Sequence, residues 1–140
     1  MYRYLLDTNI VLFFLYNQDE LDIRVRDIIV NDYKARLYVS MISVQEIIHL
    51  YKKNKIKTTW KRAEDILPSI EFNFEILPIT REHVLTYSKL SIQELHNDHN
   101  DPNDHLIIAQ AITERMTLIS SDSKFEDYVM QKLDFIFNCR

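Results

Sequence analysis

Residues 2–16 read YRYLLDTNIVLFFLY. Tyr2 to Leu6 is an apolar and aromatic run of strand length, and Thr8 to Tyr16 carries enough apolar residues to follow as a buried helix, with Asp7 at the junction. Outward from this unit the pattern repeats. Leu21, Val25, Ile28 and Ile29 are spaced as on a helix over residues 21–33, and Arg36 to Ser40 (RLYVS) is again strand-like. Ser43-Val-Gln-Glu46 matches a capping box that opens the helix IIHLYKK. A further helix is expected over Thr58 to Ile70, interrupted at Pro68, then a short strand in Phe74 to Ile79 that Pro78 confines to an end or an edge. Val84, Leu85, Leu90 and Leu95 mark a helix from Thr80 to about Leu95, which HNDHNDPND breaks. Leu106 to Ile112 is apolar on almost every side, the mark of a central helix, and Thr117–Ser120 and Leu133–Phe137 complete the strands. Strands alternating with helices predict a mostly parallel sheet covered on both faces: one three-layer α/β/α domain over residues 1–140.

Composition narrows the function. The 140 residues are 46% hydrophobic, enough for one core, and no Pro- or Ser-rich linker or repeat divides them. There is no glycine, which argues against the glycine-rich loops that cradle ATP or dinucleotide phosphates. The single cysteine, Cys139, builds neither a disulfide framework nor a thiolate zinc site, so a reducing compartment such as the cytoplasm is expected. Seventeen Lys and Arg against 21 Asp and Glu leave a net charge of −4, so any nucleic-acid contact is local. The longest apolar run, Ile10 to Tyr16, is far short of the roughly 20 residues that cross a bilayer, and the N-terminus has no secretory h-region, so no membrane association is expected.

Ligands of an open α/β sheet gather beyond the carboxyl ends of its strands. Asp7 ends YRYLL and Asp122 follows TLISS, so both reach one crevice if their strands are neighbours. Glu46 and Asp104 each stand near a helix start. Bland readings exist for each: Asp7 as a helix cap, Glu46 as the acid of a capping box, Asp122 as a turn residue. Asp104 is less easily dismissed, because Asn103 offers itself as the cap and Asp104 lies on the side of Ile107, Ile108 and Ala111. If all four carboxylates converge, charges about 4 Å apart repel by roughly 4 kcal/mol per pair at an effective dielectric near 20, and a cation resolves the conflict. Oxygen ligands without Cys or a paired His motif select Mg²⁺ or Mn²⁺, ions that also bind phosphate oxygens.

LLDTN (5–9), SVQEI (43–47), HNDPNDHLIIAQA (99–111) and LISSDSKF (118–125) resemble, in order and spacing, the motifs of the PIN domain, and most closely the VapC-like ribonuclease toxins of bacterial toxin–antitoxin pairs. The resemblance spans essentially the whole chain. It implies that Asp7, Glu46, Asp104 and Asp122 are the acidic catalytic and metal-site residues, and that Thr8, Asn9 and Ser120 support them. It also implies a PIN-like fold, a cognate antitoxin that occludes the crevice, and a homodimer. Two positions depart from the pattern: His105 stands where many relatives have arginine, and Ser120 where threonine is usual. The serine keeps the hydroxyl, whereas His105 puts in doubt the contact that arginine makes.

The expected activity is a Mg²⁺- or Mn²⁺-dependent endoribonuclease in which one or two ions activate water for in-line attack on phosphorus. Between Ile47 and Ala63 there is no acid, while Lys52, Lys53, Lys55, Lys57, Lys61 and Arg62 accumulate. That stretch is either a solvated helix end or a contact for the RNA backbone, with Trp60 or Tyr51 stacking on an unpaired base. His96, His99 and His105 suggest zinc only weakly, since helical His ligands usually sit four apart. Two rivals remain: an α/β phosphatase or phosphotransfer domain with Asp7 as nucleophile, and a non-catalytic RNA- or protein-binding module. No motif specifies transfer, ribosomal or messenger RNA as substrate.

Overall fold

The computed structural model describes residues 2–91 and 101–140. Five strands, β1 (Tyr2–Leu6), β2 (Ala35–Ser40), β3 (Glu75–Leu77), β4 (Thr117–Ser120) and β5 (Asp134–Phe137), form one parallel sheet in the order β3-β2-β1-β4-β5. Successive strand residues point to opposite faces, and in the inner strands both are apolar. Leu6, Val39 and Ile119 therefore enter one core, packed by helices α1 (Thr8–Tyr16), α3 (Met41–Lys52) and α4 (Ile66–Asn73). Leu5, Tyr38 and Leu118 enter the other, filled by Ile107, Ile108 and Ala111 of α6 (Pro102–Glu114), onto which α5 (Arg81–Lys89) also packs. This is the three-layer arrangement expected.

The strand order supplies the geometry that matters. β1 pairs with β2 on one side and β4 on the other, with Leu6 opposite both Val39 and Ile119. The chain moves outward from β1 through β2 to β3 and then crosses back to β4, so the topological switch point lies between β1 and β4. The Asp7 amide donates to the Ile119 carbonyl at 3.0 Å, extending the ladder and leaving Asp7 beside the end of β4.

Four elements differ from the expectations. α3 begins at Met41 with Ser40 as its cap, whose hydroxyl accepts from the Ile42 amide at 3.1 Å. Ser43 is thus inside the helix and Glu46 is not part of a capping box. Residues 53–62 are not helical: Asn54, at φ 55°, follows the end of α3, and this stretch has only Ile56 and Trp60 to bury. Pro68 falls in the first turn of α4, where its missing N–H has no intrahelical role, so the helix continues through it. In residues 21–33 only α2 (Ile23–Arg26) is regular, and a π turn over Asp27–Asn31 follows at the β-branched run Ile28 to Val30. α5 stops at Lys89, where Leu90 turns extended, and residues 92–95 of that expected helix lie outside the described residues, as do His96 and His99.

Candidate active site

Asp7 is buried, 6% exposed, and is held from several sides. Its Oδ1 accepts from the Thr8 amide at 2.8 Å, and its Oδ2 accepts from the Ser120 hydroxyl at 2.7 Å and the Asn9 amide nitrogen at 3.4 Å. Ser120 Oγ in turn accepts from the Asp122 amide at 3.0 Å, so one hydroxyl links the two strand-end aspartates. Asn9 fastens the same junction: its Nδ2 donates to Ser120 Oγ at 3.4 Å and its Oδ1 accepts from the Ser121 amide at 3.2 Å. Thr8, Asn9 and Ser120 therefore all bond to Asp7. The Thr8 hydroxyl donates to Glu46 Oε1 at 3.4 Å, which brings the carboxylate of α3 to the same crevice.

Asp104 comes from the first turn of α6. Its cap is Asp101, not Asn103: the Asp101 carboxylate accepts from the Asn103 amide at 2.9 Å, and Pro102 takes the first helical position. Asp122 caps the 3₁₀ segment Ser123–Gln131 through the Lys124 amide at 3.0 Å, so its bland role is real and coexists with its place at the site. Asp101 is the acid that sequence reasoning passed over, although an aspartate before a proline at a helix start is a legible cap signal.

The acids sense one another. Burial pushes the Asp7 carboxyl above its ordinary range, and the charges of Asp122 and Asp101 add to this, while the Ser120 and Thr8 hydrogen bonds draw it back. Glu46 is pushed up to about 7 by burial, then by the charges of Asp7 and Asp101. Asp104 is pushed up to about 8 by burial, then by Asp7, Asp101, Glu46 and Asp122. Among the described residues no Lys or Arg forms an ion pair with Asp7, Glu46 or Asp122. Nor do any three His, Cys, Asp or Glu side chains among those residues close on a single metal position. Hard oxygen donors of this kind fit Mg²⁺ or Mn²⁺.

Other candidates fall elsewhere. His105 is 2% exposed and packs against Tyr128, with ring centroids 6.0 Å apart, inside the second core. Lys52, Lys53, Lys55, Lys57, Lys61 and Arg62 are all exposed along the segment that leaves α3, and Arg62 pairs with Asp65 at 3.2 Å. Trp60 is half-buried, edge-on to Tyr16 at 5.3 Å and Tyr51 at 6.4 Å, and the Tyr51 hydroxyl donates to its carbonyl at 3.2 Å. Trp60 therefore anchors the basic segment to α1 and α3. Phe13 and Phe14 pack on the first core, Phe14 meeting Phe74 edge-on at 5.1 Å.

Behind the site, Asn138 is fully buried. Its Nδ2 donates to the Glu20 carbonyl and to Ser121 Oγ, and its Oδ1 accepts from the Asp22 amide, each at 2.8 Å. Asn138→Ala strands these partners and is expected to lower the unfolding free energy by about 1–3 kcal/mol in urea denaturation. A loss under about 0.5 kcal/mol would show that this network carries no stability.

Comparison with known proteins agrees with this architecture. No curated protein sequence matches the chain. Among solved structures, VapBC2 from Rickettsia felis, bound to a promoter DNA fragment, superposes with a TM-score of 0.70 at 19% identity, covering 98% of this chain and 99% of that one. DNA-bound VapBC from Salmonella typhimurium gives 0.70 at 19%, covering 99% and 100%. FitAcB from Neisseria gonorrhoeae gives 0.61 at 20%, covering 96% of each chain. The family model described as the PIN domain matches residues 4–129, so the chain belongs to the PIN domain family, whose members are generally nucleases.

Proposed function

We propose that the chain is a Mg²⁺- or Mn²⁺-dependent endoribonuclease and the toxin of a toxin–antitoxin pair. The observation that carries this reading is the buried Asp7, clamped by Ser120, Thr8 and Asn9, with the charges of Glu46, Asp104 and Asp122 acting on the same crevice. Asp7 and Asp104 would hold the ion most directly, with Glu46 and Asp122 completing the set or reaching it through water. A bound divalent ion supplies positive charge for the phosphate and lowers the pKa of water. The protein's own part is to hold Asp7 in one rotamer, to keep Asp122 next to it through Ser120, and to orient Glu46 from Thr8. Clustered carboxylates repel a phosphate, which weighs against a phosphotransfer role for Asp7 without a divalent ion.

The solved neighbours are VapBC and FitAB complexes, which supports an antitoxin partner for this chain too. That partner would cover the crevice, with the toxin forming a homodimer in the cytoplasm. Among the described residues no helix is long and apolar enough to cross a membrane. Incubation with single-stranded RNA and with DNA of the same sequence tests the activity. Internal cleavage of RNA in Mg²⁺ or Mn²⁺ and none in EDTA is expected; undiminished cleavage in EDTA would overturn the metal requirement, and preference for DNA the substrate class.

A further inference from the structure

Beside Glu46 lies a cavity of about 190 Å³ lined by Gln45, Glu46, His49, Leu50 and Asn103. It opens between α3 and the start of α6, the two helices that bring Glu46 and Asp104 to the crevice, so a strand whose phosphate meets those acids has this cavity next to it. Its lining has the parts of a base-binding site. His49 is exposed and offers a flat ring, and Leu50 an apolar wall, the kind of surface on which an unpaired base rests. Gln45 and Asn103, both exposed, present side-chain amides, each with a donor beside an acceptor. On the Hoogsteen edge such an amide matches the N6 donor and N7 acceptor of adenine, whereas the two adjacent acceptors of guanine there, O6 and N7, call for Arg or Lys. Among the described residues neither lines the cavity. The same face of α3 continues from Glu46 through His49 and Leu50 toward Lys53, just past the helix end and about 10 Å farther along the axis, where an ammonium can meet the next part of the backbone.

We propose that this cavity seats one unpaired nucleobase flanking the scissile phosphate, and that Gln45 and Asn103 make adenine the preferred base. The inference rests on the nuclease reading for its biological use but not for its detection. Wild-type protein titrated with AMP, GMP, CMP and UMP in Ca²⁺-containing buffer, followed through the His49 imidazole NMR signals, is expected to bind AMP about tenfold more tightly than GMP. Gln45→Ala or Asn103→Ala removes that difference, and His49→Ala weakens all four nucleotides. In parallel, a pyrimidine oligoribonucleotide carrying one adenine, with Mn²⁺, is cut beside the adenine by the wild type and at scattered positions by Gln45→Ala. Equal or absent binding of the four nucleotides, with cuts indifferent to base and unchanged in Gln45→Ala, overturns the subsite and leaves the nuclease standing. Selective AMP binding that depends on Gln45, with no cleavage of any oligonucleotide, upholds the subsite and removes the nuclease.

Discussion

Asp7→Asn and Asp104→Asn are each expected to lower metal-dependent RNA cleavage by about a thousandfold while leaving the fold intact. An ion that stabilises developing charge on a phosphoryl oxygen supplies several kcal/mol, and each 1.36 kcal/mol is a factor of ten in rate. The amide side chain keeps the size of the carboxylate but not its charge. In Asp7→Asn one oxygen remains to accept from either Thr8 or Ser120, so the strand ends stay tied and the circular dichroism spectrum is expected to be unchanged. Ser120→Ala acts one step removed: it frees Asp7 Oδ2 and the Asp122 amide from their shared hydroxyl and is expected to cost about 10- to 100-fold. Cleavage within threefold of wild type in both Asp7→Asn and Asp104→Asn would contradict the assignment.

The second large effect is on stability. Without an ion, Asp104 and Glu46 keep their protons up to about 8 and about 7, against 3.8 and 4.5 for ordinary carboxyls. The folded state therefore binds more protons than the unfolded chain between these limits, and stability falls as pH rises through that window. The metal-free protein is thus expected to melt at its highest temperature on the acid side, short of the point where other carboxylates protonate, and to lose several degrees between pH 6 and pH 9. Mg²⁺ or Mn²⁺ competes with those protons, so the rise in melting temperature on adding the ion should grow with pH. At a hundred times its dissociation constant a ligand of the folded state stabilises by about 2.7 kcal/mol, several degrees for a domain of this size. A metal-induced shift that is constant from pH 6 to pH 9 would show that the ion does not displace these protons. Asp104→Asn should flatten the pH profile of the metal-free protein.

Much of this was legible in the chain because two periodicities are cleanly written in it. Leu5 and Leu6, Tyr38 and Val39, and Leu118 and Ile119 are apolar pairs in which both faces of a strand are buried, which only a sheet covered on both sides explains. Asp7 and Asp122 stood out because acids follow such strands directly. Adjacency of β1 and β4 was not legible, since it depends on which strands pair across more than a hundred residues. Local capping choices were also hidden. Ser40 and Ser43 both offer a hydroxyl to start α3, and the strand's passage straight into the helix at Ser40 selects the first, which moves Glu46 out of the opening turn and into the crevice. The helix expected from Thr58 begins later, because residues 53–62 lack an apolar face and only Ile56 and Trp60 hold them down. Asn138 gave no signal, because a buried asparagine near a chain end is distinguished only by the carbonyls and amides that surround it.

Everything turns on whether Asp7, Glu46, Asp104 and Asp122 share a divalent ion. Anomalous diffraction from crystals soaked in Mn²⁺ tests it most directly. A peak is expected within direct coordination distance of carboxylate oxygens from both Asp7 and Asp104, lost in Asp7→Asn. Mn²⁺ peaks confined to other surfaces of the protein, with none in the crevice at saturating concentration, would contradict it.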